Sequence, residues 1–213
     1  LQMKGTVLSA RAGAPLDLEA RHLELLRLLR VAPAISDAAW LDASGHERVR
    51  VSRLARDVVG SDIDRSAEPA TRALRTSPAW YGDIGFRRQS EPHLAMAVAG
   101  SRPDDGAILA DINLQFASDV VADIRIGHSG QAYVVDSAGQ LIVHPDAGMA
   151  LRRANLAQWP PVRAALARPA SDQSPAPTVI ASLDGAARTI AAHASIAPLG
   201  WHVIVEQPLA EAF

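Results

Sequence analysis

The chain contains no cysteine. That removes a disulfide framework, a thiolate zinc site and a cysteine nucleophile, and leaves the redox compartment unmarked. Lysine is almost missing as well: Lys4 is the only one among 21 basic residues. Codon bias in a GC-rich genome is the dull account of that ratio, yet any anion pocket here must be built from arginine, whose planar fork binds carboxylate and phosphate bidentately. No apolar run approaches the roughly 18 to 20 residues that cross a bilayer, and the N-terminus lacks a basic segment followed by an apolar core and a small-residue cleavage site. There is no excess charge of one sign. The formal net charge is -2, so the chain has no electrostatic basis for holding nucleic acid. Neither G-x-x-x-x-G-K-[ST] nor G-x-G-x-x-G occurs, which excludes the usual phosphate-cradling loops. With 213 residues, 48% hydrophobic and 21% charged, the chain can fold as one large domain or as two of about 100 residues.

The most informative stretch is GHSGQAYVVDSAGQLIVHPD, from Gly127 to Asp146, where two alternating apolar runs flank Ser137-Ala138-Gly139. The pattern predicts a β-hairpin. A parallel pattern, AAWLDASGHERVRVSR, runs from Ala38 to Arg53. In both, an apolar strand ends in Asp (Asp42, Asp136), passes a glycine (Gly45, Gly139) and restarts, which suggests one small unit used twice.

Residues 1 to 15, with Gly5, Gly13 and Pro15, read as a poorly ordered lead-in. Leu18, Leu25, Leu26 and Leu29 then recur at helical spacing over 16 to 31, and Pro33 ends the pattern. That stripe could pack on a sheet or pair with its twin in a parallel dimer. Strands are predicted at 37 to 42, 47 to 53, 82 to 88, 93 to 99 and 107 to 114, with a short helix at 67 to 76 and the segment 60 to 81 joining the second strand to the third. This makes a five-stranded antiparallel sheet. FASDVVADIRI, 116 to 126, is predicted as a helix entering the second hairpin. After Pro145 come an irregular stretch, a helix at 159 to 167, the polar loop 169 to 177, and strands at 178 to 183, 187 to 194 and 200 to 206. PLAEAF from Pro208 reads as the first turn of a helix leaving the domain.

This order, together with ELLRLLRVAPAI (24 to 35), RVSR (50 to 53), SEPHLAMAV (90 to 98), GAILADINL (106 to 114), the second hairpin and PLGWHVIVEQPLAEAF (198 to 213), resembles the double Cache sensor domain of bacterial transmembrane receptors. The resemblance covers roughly residues 18 to 213. It implies an α+β fold: a long N-terminal helix within 1 to 34, a membrane-distal PAS-like unit over 35 to 115, and a membrane-proximal one over 116 to 213, each with a five-stranded antiparallel sheet. It also implies an extracytoplasmic, periplasmic location, flanking transmembrane helices, a homodimer in the full receptor and no catalysis within the domain. The parent protein would carry a histidine kinase or nucleotide cyclase output module, as the phrases from Pro33 onward look most like sensors of those types.

Amino-acid receptors of this family share an Arg two residues before a Trp-Tyr pair, with an Asp on the last distal strand. Asp111 and Trp80-Tyr81 match, but Pro78 stands where the Arg is expected. The expected ligand is therefore left as an amino acid, a small organic acid or an amine. The pocket is expected between the sheet and the segment 60 to 81, lined from Arg50, Arg53, Trp80, Tyr81, Phe86, Glu91, His93 and Asp111, with Arg53 and Asp111 foremost. No cofactor is expected: a flavin or haem would lack a cysteine adduct or a convincing axial ligand. His128, His144 and Asp146 lack the close spacing of a metal site. GHSGQ has Gln131 where a nucleophile elbow needs glycine, so Ser129 is not read as a nucleophile. The competing reading is a protein-interaction module with a filled distal pocket, docking a periplasmic binding protein or a partner receptor.

Overall fold

A computed structural model describes residues 17–87, 91–124, 126–152, 154–168, 178–181 and 188–212. The lead-in 1 to 15 and the polar loop 169 to 177 lie outside the described residues. The chain divides into two compact units, with the boundary between Leu114 and Gln115.

The first unit runs α1 (Leu18–Val31), β1 (Ile35–Leu41), β2 (His46–Ser52), β3 (Val58–Asp64), α2 (Pro69–Ala73), β4 (Ala79–Arg87), β5 (Glu91–Ala99), a single 3-10 turn (Pro103–Asp105) and β6 (Ala107–Asn113). The sheet order is β3-β2-β1-β6-β5-β4, antiparallel throughout. It therefore has six strands where the sequence predicts five. The extra strand is β3, VVGSDID, read from the sequence as loop. Every residue in it but Ser61 is exposed, so no face alternates, and Gly60 interrupts the apolar run. Backbone pairing with β2 holds it, and its aspartates suit an edge that must not recruit another strand.

Helix α1 starts where the Asp17 carboxylate accepts from Ala20 N (3.1 Å), with Glu19 in its first turn and Arg30 in its last. Leu25, Leu28 and Leu29 are buried against Trp40, Val49, Val51, Val98 and Ile108. The leucine stripe thus packs on the sheet of its own unit, which takes Leu25 and Leu29 out of any pairing with a twin helix. Trp40 is fully buried, yet its Nε1 donates to Asp105 O (3.1 Å) and the Arg21 guanidinium lies 4.9 Å from its ring centre, so its polar edge is satisfied.

The second unit runs α3 (Gln115–Asp123), β7 (Gln131–Val135), β8 (Leu141–Val143), α4 (Ala147–Leu151), α5 (Pro160–Leu166), β9 (Thr178–Ala181), β10 (Arg188–Ile196), β11 (Trp201–Pro208) and α6 (Leu209–Ala212). Its five antiparallel strands lie in the order β8-β7-β11-β10-β9. Tyr133, Val135, Leu141, Leu156, Val162, Ala165 and Ile204 form its core. Helix α4 falls in the stretch read as irregular; Asp146 caps it by accepting from Gly148 N (2.8 Å). No helix among the described residues is long and apolar enough to cross a membrane.

The two Asp-to-Gly turns noted in the sequence fold identically. Asp42 Oδ1 accepts from Ser44 N (2.9 Å) and His46 N (3.1 Å), and Gly45 N donates to Asp42 O (3.0 Å). Asp136 Oδ1 accepts from Ala138 N and Gln140 N (both 2.8 Å), and Gly139 N donates to Asp136 O (3.0 Å). Both glycines take left-handed φ, +89° and +77°, a region costly for any residue with a Cβ. At Gly139 an added Cβ would also sit 2.8 Å from Ala157 Cα. Gly139→Ala is expected to cost at least about 1–2 kcal/mol from the left-handed backbone alone, read as a lowered urea midpoint with an unchanged slope.

Candidate functional site

Strand alternation gives the first sheet two unlike faces. Ala38 and Trp40 point toward α1, while Asp37, Ala39 and Leu41 point away from it. On the far face the cover is the segment between β3 and β4, whose five-residue helix α2 packs Ala70 against Leu41, Ala97, Ala107 and Leu109. This short cover leaves a cavity of about 200 Å³. Its apolar lining includes Ala39, Ala95, Leu109 and Trp80, and its charged lining is Asp37, Arg50, Arg65, Glu68, Arg87 and Asp111.

The charged groups form two clusters. In the first, Asp37 and Asp111 stand directly opposite each other on β1 and β6. Arg87 bridges them, donating from Nη1 to Asp37 Oδ2 (3.0 Å) and from Nη2 to Asp111. His93 Nδ1 lies 2.9 Å from the other Asp111 oxygen, and because a carboxylate only accepts, Nδ1 carries the proton. Burial pushes the Asp37 carboxyl up, but the Ser52 hydroxyl, Arg87 and Ser36 outweigh it and leave it below its ordinary 3.8. Burial likewise pulls the Arg87 guanidinium down, and the two aspartates more than restore it. In the second cluster Glu47, only 2% exposed, accepts from Arg65 Nη1 (2.8 Å) and pairs with Arg50 Nη2 (3.3 Å), while Arg65 Nε donates to Glu68 (2.7 Å). A buried carboxylate needs such partners, because unpaired it would carry its full desolvation penalty.

Of the residues predicted from the sequence, Arg50, Trp80 and Asp111 line the cavity and His93 reaches it through Asp111. Arg53 does not. Its Nε donates to Ile35 O (2.8 Å) and its Nη2 to Leu29 O, so it ties the end of α1 to the start of β1. Tyr81, Phe86 and Glu91 are not among the lining residues. The parity changes at a bulge between Tyr81 and Ile84, where Gly82 and Asp83 fall opposite Ala95; beyond it Arg87, not Phe86, shares the face of Trp80. Asp37, Arg65, Glu68 and Arg87 line the cavity without being predicted from the sequence. A lone aspartate in the apolar strand ISDAAWL was one available signal, and the glycines of β4 were another. A Cβ on Gly82 would meet the Trp80 ring at 2.7 Å, and one on Gly85 would meet the His93 ring, so both rings lie across glycine.

In the second unit, the His128 and Ser129 backbone N–H groups and the Ser129 hydroxyl all donate to Glu211. Buried His144 accepts at Nδ1 from Asp146 N (2.9 Å) and packs on Tyr133. No group of three or more His, Cys, Asp or Glu among the described residues is placed to hold a metal.

Two outcomes follow from these roles. Arg53→Ala removes the donors of two backbone carbonyls and is expected to destabilise the chain by about 1–3 kcal/mol in urea titration. Asp37, with its folded pKa depressed, contributes stability that is fully present above the ordinary carboxylate pKa and lost as pH falls through the lowered value. Urea midpoints between pH 6 and pH 2 should therefore drop at the acid end, and Asp37→Asn should flatten that drop.

No protein-family model matches the chain, and no curated protein matches its sequence. Solved structures do match. The extracellular domain of mmHK1S-Z2, assigned as a histidine kinase, aligns with a TM-score of 0.73 at 13% identity, covering 98% of this chain and 88% of that one. The ligand-binding domain of the Pseudomonas aeruginosa PAO1 amino acid chemoreceptor PctC, in complex with GABA, gives 0.64 at 18% identity, covering 96% and 86%. That of the Pseudomonas fluorescens chemoreceptor CtaA, in complex with L-alanine, gives 0.63 at 16% identity, covering 100% and 88%. At these identities the likeness is one of fold: the chain has the fold of extracellular domains of histidine kinases and of ligand-binding domains of amino-acid chemoreceptors.

Proposed function

We propose that this chain is the extracytoplasmic ligand-sensing part of a transmembrane receptor, built as a double Cache domain. A small solute binds the cavity of the first, membrane-distal unit, and the second, membrane-proximal unit passes the change to the segment beyond Pro208. The observation that carries this reading is the charged cavity on the first sheet, lined by Asp37, Arg50, Arg65, Trp80, Arg87 and Asp111. The shared fold adds support, since the PctC and CtaA domains hold GABA and L-alanine. The domain is read as non-catalytic, periplasmic and dimeric in its parent receptor, whose output would be a histidine kinase or nucleotide cyclase. A protein-docking module with a filled distal pocket is less well supported, because the expected place holds a cavity.

Signalling requires that the solute bind two conformations with different affinity. The test is a thermal-shift screen of the purified chain against amino acids, organic acids, amines, purines and sugars. A ligand at 100 times its dissociation constant adds about 2.7 kcal/mol. A shift is expected that Arg50→Ala removes and Arg53→Ala retains. A silent screen would put the protein-partner reading first.

A further inference from the structure

The lining charges of the first-unit cavity also bear on what the solute is, and the inference rests on that cavity being the ligand site. A ligand ammonium would have to be met by carboxylate oxygen. Asp37 and Asp111, side by side on β1 and β6, are the natural pair, but Arg87 and His93 already engage them: Arg87 takes one oxygen of each and His93 takes the second oxygen of Asp111. Asp37 also accepts from Ser52. An internal guanidinium thus occupies the position an ammonium would need. Seating the ammonium there would evict Arg87 and strand it, and a charged group losing its partners in a partly desolvated site is costly. Glu68 keeps one oxygen, but its side chain is 41% exposed at the mouth, where water screens the attraction.

Donors are available elsewhere in the cavity. Arg50 pairs only with Glu47 among the described residues, at 3.3 Å through Nη2, and leaves its Nε and Nη1 groups unspent. Arg65 uses Nε and Nη1 and keeps Nη2. The buried Glu47 holds both guanidinium groups in place, and both line the cavity. An arginine donates and never accepts, so the ligand must bring the acceptors. Beside the charged groups, Ala39, Ala95, Leu109 and the Trp80 ring supply apolar surface. We infer that the cavity takes an organic acid without an amino group: a carboxylate gripped by Arg50 and Arg65, with an aliphatic or aromatic body against Trp80 and the alanine floor.

Matched pairs that differ by one amine test this by calorimetric titration of the whole chain: propionate against alanine, butyrate against 4-aminobutyrate, 3-phenylpropionate against phenylalanine. The acid of at least one pair is expected to bind roughly tenfold or more tighter than its amino partner, the cost of placing an ammonium in the cavity without a free carboxylate partner. Arg50→Ala, at a side chain 42% exposed, should abolish that binding with little change in urea midpoint. Arg87→Ala uncovers Asp37 and Asp111 and should shift preference toward the amino member. If the amino member binds the native chain as tightly or more tightly, or if the ligand found by screening is an amine, purine or sugar, the inference fails and the sensor reading stands. If Arg50→Ala keeps full affinity for the acid, the assigned grip is wrong. Silence across both the pairs and the broad screen overturns the inference and the sensor reading together.

Discussion

The first sheet must be sealed on two faces by covers of very different size, and the residues of β1, β5 and β6 are graded to match. Toward the 14-residue α1 they present Trp40, Val98 and Ile108, which mesh with Leu25 and Leu29. Each such side chain contributes about 1.5–3 kcal/mol on burial. Toward the five-residue α2 they present Leu41 and Leu109 together with the small Ala39, Ala95 and Ala97. A large residue at Ala39 or Ala95 would fill the space that α2 cannot, and the cavity would close. The cavity is thus a consequence of alternation: one face supplies the stability, and the other is free to hold charge and empty volume. Arg53 belongs to the stable side, because it fastens the end of α1 onto the strand that both faces share.

Charge on the cavity face is tolerable only because it is paired in forks. Asp37 and Asp111 face each other across one ladder position, where two carboxylates repel. Arg87 reaches both with separate nitrogens. A lysine, with one compact ammonium, could not span two acceptors in fixed planes in the same way. The same logic holds at Glu47, which is buried and shared between Arg50 and Arg65. The near-absence of lysine therefore has a structural use at these two places, whatever its genomic origin.

What could be read from the sequence were the features encoded by local chemistry. LDASGH and VDSAGQ share an aspartate with a glycine three residues on, and that is enough to specify the same set of hydrogen bonds twice. The α1 stripe, both hairpins and the strand order in the second half were legible for the same reason: period and punctuation carry them. β3 was not, because a strand exposed on both faces has no period to detect. The site was legible only in part. Parity along β4 groups Phe86 with Trp80, and the bulge at Gly82 and Asp83 hands that face to Arg87. Arg53 and Arg50 lie three apart and look equivalent in RVSR; only the neighbours they meet, two backbone carbonyls for one and Glu47 for the other, separate a clasp from a lining residue.

In the proposed sensor, the position of the second cluster would connect occupancy of the cavity to its cover. Arg65 and Glu68 stand just before α2, in the covering segment, while Glu47 and Arg50 belong to β2 in the sheet. The Arg65–Glu47 pair therefore fastens the cover to the sheet even without a solute. A solute accepting from both Arg50 and Arg65 adds a second tie across the same seam, and it can do so only while the cover is down. That is the differential affinity a population shift needs, since a solute gripped by Arg50 alone would bind covered and uncovered forms equally and move nothing. In that reading the charge pairing at Glu47 would limit the signal: the more firmly it held the cover unaided, the less would remain for a solute to change, and Arg50, 3.3 Å from Glu47 and with a half-exposed side chain, is the member of the cluster with donors to spare.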